Sequence, residues 1–447
     1  MFEIIVAVDK NYGIGYKNKL PWKCPEELKI FQEKTNDSIL VVGRKTAESL
    51  PHLPNRQVIC LSKTIPNTSS WKNDSIIINS LSQINLIEHR KKFIAGGAEV
   101  YRTALSIDTL VSKIHISILK DIYQVDTYFE PKLIRNFIIT EHTEYDKFDH
   151  YVMERAKDGE KQYLDLLNDI IDNGEIRKGR NGFTRSLFVK NFKFDLRNGF
   201  PLLTTKKMFL RGILEEFLFF LRGDTDTTIL SDKKVRIWEG NTSNEFLESR
   251  NLPYSKGVMG PMYGYQWRYY GANYKINKDG KPLETTEGID QLANVVNLIK
   301  KDPGSRRILI TTYNPEQAEE GVLYPCHSIT IQFYVQNKYL DMFCYNRSQD
   351  TFLGVPYNIA SSSLLLMVVA KLTDKIPRFF NMTMGDTHLY EEHITQATEQ
   401  MSRRPFKFPT LKIPNIYNIE DIDFLEANHF ILENYQYHPT IKADMIV

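Results

Sequence analysis

Apolar residues in the first third of the chain come in short, β-branched runs separated by polar stretches. Ile4 to Val8, Ile39 to Val42, Val58 to Leu61, Ile76 to Ile78, Phe93 to Ala95 and Lys113 to Leu119 each predict a strand. Between them the spacing changes to that of short helices. Pro25 stands where a first helical residue would, followed by Leu28, Ile30 and Phe31 as apolar positions, and a second helical stretch starts at Ala98 behind Gly96-Gly97. Strands joined by short helices predict an α/β domain, a mostly parallel twisted sheet with flanking helices, closed by the run ending at Leu119.

The pattern breaks near residue 154. Glu154 to Lys161 is almost entirely charged, includes Gly159, and reads as an exposed linker. Tyr163 to Ile171 returns to helical spacing, and no comparable break follows. The expected division is an α/β domain at 1–153, a linker at 154–161 and one α+β domain at 162–447.

Composition narrows the function classes. With 57 basic and 55 acidic residues the net charge is +2, so no dominant basic field marks a nucleic-acid binder. No basic-then-apolar leader opens the chain, and the longest apolar run, Leu364 to Ala370, is short for a membrane span, so a cytoplasmic protein without a membrane partner is expected. The four cysteines show no metal-type pairing, so no metal site is expected.

One cysteine carries candidate chemistry. Cys326, in Pro325-Cys-His327, is by itself a weak signal, because a lone thiol more often packs inertly than reacts. A nucleophile must be a thiolate, which calls for positive charge nearby. Arg306 and Arg307 follow Pro303-Gly304, and Arg347-Ser348 ends a strand-like run; guanidinium forks and a hydroxyl suit a phosphate and are expected to lower the thiol's pKa. Glu216 lies in Leu214-Glu-Glu-Phe-Leu-Phe-Phe220, where an acid on an apolar helix face has a raised pKa and suits proton transfer. Glu27 repeats the pattern, sharing a helix face with Leu28 and Phe31.

From about residue 161 onward the chain closely resembles the thymidylate synthase family. The matching stretches are Phe200-Pro-Leu-Leu-Thr-Thr-Lys-Lys207, Gly260-Pro-Met-Tyr-Gly-Tyr-Gln-Trp-Arg268, Asp302-Pro-Gly-Ser-Arg-Arg307, Pro325-Cys-His327, Gln332-Phe-Tyr-Val335, Arg347-Ser-Gln-Asp350, Leu353-Gly-Val-Pro-Tyr-Asn-Ile-Ala-Ser361 and Gly385-Asp-Thr-His-Leu-Tyr390. The resemblance implies methylation of dUMP to dTMP with 5,10-methylenetetrahydrofolate, Cys326 attacking C6, and Glu216 and Tyr263 moving protons. It implies a phosphate clamp of Arg306, Arg307, Arg347 and Ser348, joined by Arg180 or its rival Arg185, and a homodimer in which Arg306-Arg307 serves the other subunit's site. His327, His388 and Tyr390 are implied around the nucleotide; Trp238, Asp350, Leu353 and Gly354 around the folate. Asn358 offers one donor and one acceptor, matching O4 and N3–H of uracil rather than cytosine. Phe219, Asn346 and Tyr357 depart from the family pattern.

Residues 2 to about 152 resemble dihydrofolate reductase, through Ile5-Val-Ala-Val8, Asn11-Tyr-Gly-Ile-Gly15, Leu20-Pro-Trp22, Val41-Val-Gly-Arg-Lys-Thr46, Leu53-Pro-Asn-Arg56, Ala95-Gly-Gly97 with Tyr101, and Asp126-Thr-Tyr-Phe129. That resemblance implies NADPH as cofactor and Glu27 as the group promoting protonation of the pterin. Ile5, Ala7, Leu28, Phe31 and Ile94 would line the folate pocket, with Arg56 on the glutamate tail; Ile14, Arg44, Thr46, Ser62, Lys63, Gly96, Gly97 and Tyr101 would hold NADPH. Ala47 stands where the family has a larger aromatic. The fused order resembles the bifunctional enzymes of protists and plants. Two other readings of the chain stay open: a nucleotide hydroxymethyltransferase, and a synthase carrying a catalytically dead reductase-like docking module.

Overall fold

Each apolar run of the N-terminal part becomes a strand in the computed structural model, which describes residues 2–446 except 65, 70, 87–89, 108–109, 135–136, 156–158 and 180. The chain divides into two units, 1–157 and 158–447.

In the first unit the order is β1 (Phe2–Val8), β2 (Gly13–Gly15), α1 (Pro25–Thr35), β3 (Ser38–Gly43), α2 (Arg44–Ser49), β4 (Arg56–Leu61), β5 (Ser75–Ile78), β6 (Lys92–Ile94), α3 (Ala98–Ser106), β7 (Val111–Leu119), β8 (Thr127–Tyr128), β9 (Phe137–Glu144) and β10 (Phe148–Arg155). Eight of the strands form one sheet in the order β5-β4-β3-β6-β1-β7-β10-β9. Pairings from β5 to β7 are parallel, and β3, buried on both faces, reads as the unbroken run Ile39-Leu-Val-Val42. The sequence pattern stopped at β7; the structure adds the antiparallel pair β9 and β10 on that edge. Their alternating polar residues match a half-solvated hairpin, a weaker signal than a buried apolar run.

The second unit runs α4 (Lys161–Asn173), β11 (Glu175–Lys178), β12 (Phe183–Asp195), α5 (Leu210–Arg222), α6 (Thr228–Asp232), α7 (Asn244–Ser249), α8 (Gly264–Arg268), α9 (Gln291–Lys301), β13 (Leu309–Thr311), β14 (Thr330–Gln336), β15 (Tyr339–Asp350), α10 (Gly354–Leu372), β16 (Ile376–Tyr390) and α11 (Ile394–Ser402). A six-stranded sheet has the order β11-β12-β16-β15-β14-β13, antiparallel except where α10 links β15 to its parallel neighbour β16. Helix α10 is largely apolar and long enough to cross a bilayer by length and composition, yet 72% of that stretch is buried inside the protein, as befits a core helix. Helix α5 ends at Gly223, whose φ of +78° is the left-handed cap geometry that favours glycine.

The charged run expected as an exposed linker is only partly one. Glu154 and Arg155 finish β10, and Lys161 begins α4. Glu160 is 1% exposed, because its carboxylate accepts the backbone amides and hydroxyls of Thr204 and Thr205. Charge in the sequence signalled solvent; four donors converging from a distant loop made burial tolerable instead.

Candidate functional site

In the second unit, strand pairing assembles the site around Cys326. Its carbonyl accepts the amides of Arg347 (2.8 Å) and Ser348 (3.3 Å), so the thiol is fixed beside the end of β15. Arg347 stacks on Tyr324 at 5.2 Å and donates to the Pro325 carbonyl at 3.1 Å. The Ser348 hydroxyl has no hydrogen bond among the described residues. Tyr263, 1% exposed and held at φ +40° ahead of α8, brings its hydroxyl 3.3 Å from Cys326 Sγ. The His327 ring stacks on Tyr263 at 4.1 Å; burial holds its pKa down to about 4, so it is neutral at pH 7.

The thiol itself differs from expectation. Burial pushes the Cys326 pKa up, and the Tyr263 hydrogen bond and the Arg347 charge only partly offset it. Arg306 and Arg307 do not contribute to that balance: both are exposed on the turn before β13, and their guanidinium groups make no hydrogen bond among the described residues. Arg180 lies outside the described residues. Its rival Arg185 is committed elsewhere, to Glu391 at 2.8 Å and the Ile171 carbonyl at 2.7 Å.

Glu216 projects from α5, and burial raises its pKa to about 7, opposed by the indole N–H of Trp238 donating to Oε1 at 2.8 Å. Trp238, 8% exposed, packs against Phe220 and Tyr263, which joins the acid to the thiol side of the site. The neighbouring Glu215 is buried and paired with Lys233 at 2.7 Å. Asn358 on α10 donates to Gln349 Oε1 at 2.9 Å, which fixes the amide and leaves its oxygen and one N–H for a ligand. Gln349 stands inside a matching stretch, yet no pattern in the chain signals this orienting contact. Asp350 accepts the amides of Phe352 and Leu353, ordering the turn that opens α10 at Gly354. His388 on β16 pairs with Asp386 at 3.0 Å and packs edge-on against Tyr390.

The departures fall at the site's edge. Phe219 is fully buried beside Phe220. Asn346, also fully buried, accepts the Ser328 amide at 2.7 Å, while its Nδ2 finds no partner among the described residues. Burial, and after it the charge of nearby Glu216, raises the Tyr357 pKa.

In the first unit, α1 lays Glu27, 7% exposed, over the sheet. Burial raises its pKa, and a hydrogen bond with Ser117 on β7 opposes the rise. Phe31, one turn on, packs with Ile5 in the apolar cluster beneath, Ile94 is fully buried, Ala7 is half-buried, and Leu28 is 47% exposed. Arg56 uses three of its five donors on Thr35, Pro54 and Gln32, which leaves two for an anionic tail.

Several residues expected around NADPH lie at the carboxyl ends of β3 and β6. The Gly43 amide donates to the Gly96 carbonyl at 2.8 Å, and the Gly96-Gly97 peptide is cis. A Cβ on Gly97 would approach Thr46 Oγ1 to 3.3 Å, so glycine keeps the space open. Helix α3 starts there with no side-chain cap, and its free amides suit a phosphate. Tyr101 donates to the Ile5 carbonyl at 2.9 Å. Arg44 is half-exposed within reach of Glu48, Ser62 donates to Thr64, and Lys63 is exposed; Ile14 lies on β2. Ala47 is buried against Val42 and Val58.

Residues 161–447 match the thymidylate synthase family, and 1–156 match dihydrofolate reductase. Relatives cover the whole chain: a bifunctional dihydrofolate reductase-thymidylate synthase of Paramecium tetraurelia is 35% identical over 100% of this chain and 99% of its own. That of Zea mays is 34% identical over 100% and 97%, and that of Leishmania major 35% over 100% and 95%. The chain belongs to the bifunctional dihydrofolate reductase–thymidylate synthase family, whose two activities use methylenetetrahydrofolate and NADPH.

Proposed function

We propose that Cys326 is the nucleophile in methylation of dUMP to dTMP, and that Glu27 carries the proton in reduction of dihydrofolate to tetrahydrofolate. The carrying observation is the Cys326 carbonyl shared by the amides of Arg347 and Ser348, which places a thiol beside donors suited to a nucleotide phosphate. The thiol adds to C6 of the uracil, and the electron pair of the C5–C6 bond moves toward O4, making C5 nucleophilic. Tyr263 stabilises the thiolate by donating to it as its proton leaves. Asn358, held by Gln349, pairs with N3–H and O4. Glu216, near neutrality in pKa, exchanges protons with O4 and the water around it. His388 and Tyr390 reach the sugar, while Trp238, Asp350, Leu353 and Gly354 bound the folate.

In the reductase site NADPH supplies the hydride when bound. Gly96, Gly97, Thr46 and the α3 amides would hold its phosphates, with Arg44, Ser62 and Lys63 at the adenosine end. Glu27 holds the pterin edge and keeps a proton available because its ionised form is poorly solvated.

A homodimer through the synthase sheet belongs to the same reading. Leu309, Tyr334 and Phe343 share one sheet face by register and are exposed, Tyr334 at 65%, and Leu309 closely follows the exposed Arg306 and Arg307 in the chain. Arg306 and Arg307 then complete the partner subunit's phosphate clamp, with Arg180 on its own side.

Incubating the protein with dUMP or dCMP and methylenetetrahydrofolate, then identifying the product by mass, tests the synthase reading. dTMP is expected; a 5-hydroxymethyl nucleotide would establish the hydroxymethyltransferase instead. Light scattering tests the dimer: twice 52.1 kDa is expected, and a fully active monomer would overturn it.

A further inference from the structure

The reductase sheet carries buried polar groups that the two activities leave unexplained. On β7 the polar residues His115 and Ser117 alternate with isoleucines, and the register with β10 sets Ser117 directly opposite His150. The three are 4%, 2% and 7% exposed. Ser117 Oγ lies 3.1 Å from His150 Nδ1, and Ser117 also opposes the rise of the Glu27 pKa. His150 Nε2, buried, has no partner among the described residues.

We propose that Ser117 and His150 form a proton relay behind Glu27, making His150 a positioning residue for the reductase acid. The inference rests on the reading of Glu27 as that acid. A serine hydroxyl has one proton to donate, so the chain has two complete hydrogen-bond patterns. With Glu27 ionised, His150 Nδ1–H donates to Ser117 Oγ, Ser117 O–H donates to the carboxylate, and Nε2 carries a lone pair. With Glu27 protonated, its O–H donates to Ser117, Ser117 donates to Nδ1, and the ring proton sits on Nε2. The patterns differ by one proton. A solvent proton bonds to Nε2 as the Nδ1–H proton passes to Ser117 Oγ and the serine's own proton passes to Glu27.

The surroundings favour a neutral ring in both patterns. Burial, the stacked His115 ring at 6.0 Å and the positive charge of Lys34 on α1 hold the His150 pKa to about 4. His115 is itself tied to Glu3 at 2.9 Å. Among the groups facing His150, Glu27 is the one reached through Ser117, and burial raises its pKa.

Selective ¹⁵N labelling of histidine in the full chain reads the tautomer, with the His150 signals assigned by their loss in His150→Phe, or in His150→Gln if that variant folds better. His150 should pass from the Nδ1–H to the Nε2–H tautomer as pH falls, with the midpoint of the acid limb of dihydrofolate reduction. The switch should vanish in Glu27→Gln and in Ser117→Ala. A single tautomer throughout, in a protein with a normal acid limb, overturns the relay. Undiminished reduction by Glu27→Gln overturns instead the reading of Glu27, whatever His150 does.

Discussion

Glu27 and Glu216 make a natural experiment within one chain. Both are helix carboxylates laid over a sheet or core, both are held above the ordinary carboxylate range by burial, and each has one side-chain hydrogen bond opposing the shift. The partners differ in kind. Trp238 offers an indole N–H, which only donates, so it always favours the ionised form of Glu216. Ser117 offers a hydroxyl, which donates or accepts, and it is backed by a histidine that does the same. The synthase acid therefore has a fixed bias, whereas the reductase acid sits at the end of a reversible chain. On the proposed roles, a site that exchanges protons with O4 and one that delivers a proton to the pterin can thus use the same residue type.

The largest effects should separate the two halves. Cys326→Ala should lower dTMP formation on the order of 10⁴-fold or more while NADPH-dependent dihydrofolate reduction keeps its rate. Glu27→Gln should do the converse, with reduction falling on the order of 10²–10⁴-fold. Parallel assays of both activities decide; reduction lost in Cys326→Ala, or synthase lost in Glu27→Gln, would mean that the sites are not independent.

Next comes the fixed bias itself. Glu216→Gln should cost the synthase on the order of 10²–10⁴-fold and erase an ionisation near pH 7 from its rate profile. Survival of that ionisation would assign it to another group.

Stability should carry the same signature. Glu216 has a folded pKa of about 7, above the carboxylate's 4.5, so the unfolded chain ionises first. Its contribution is present below pH 4.5 and is lost as pH rises to 7, by at most about 3 kcal/mol. Buried His327, depressed to about 4, has the opposite sign: stability is lost as pH falls from 6.5 toward 4. Denaturant titrations across pH 4–8 should show Glu216→Gln flattening the first slope and leaving the second.

The smallest effect sharpens the contrast between partners. Trp238→Phe removes one hydrogen bond, worth about 1 kcal/mol, and should raise the Glu216 ionisation by less than one unit. A downward movement of that limb would show that the indole does not hold the carboxylate as described.

Much of the fold was open to pattern reading because the parallel strands are buried on both faces. β3 is an uninterrupted apolar run, and Pro25 marks the first residue of α1 as expected. The β9–β10 hairpin escaped because one polar residue in two hides a strand among loop-like composition. The charged run before α4 misled because charge speaks for solvent unless donors arrive from elsewhere, as Thr204 and Thr205 do for Glu160. Within the sites, the thiol and both acids stood out by residue type and context. The shift of Cys326 did not: charge nearby in sequence favoured a lower pKa, while burial, a property of the fold, raises it.

The sequence by itself determined which residues are proposed for the chemistry, because Cys326, Glu216, Asn358 and Glu27 each have functional groups that few residue types could replace. It also held a trace of the relay, in the polar positions His115 and Ser117 alternating along an apolar strand. Only the tertiary structure decided what those groups face and how strongly they are desolvated. Ser117 meets His150 through the register of two antiparallel strands, and Glu216 meets Trp238 across a 22-residue separation. Protonation follows from such encounters, since a carboxylate's pKa depends on the water it has lost and the donors it has gained, and both are set by packing.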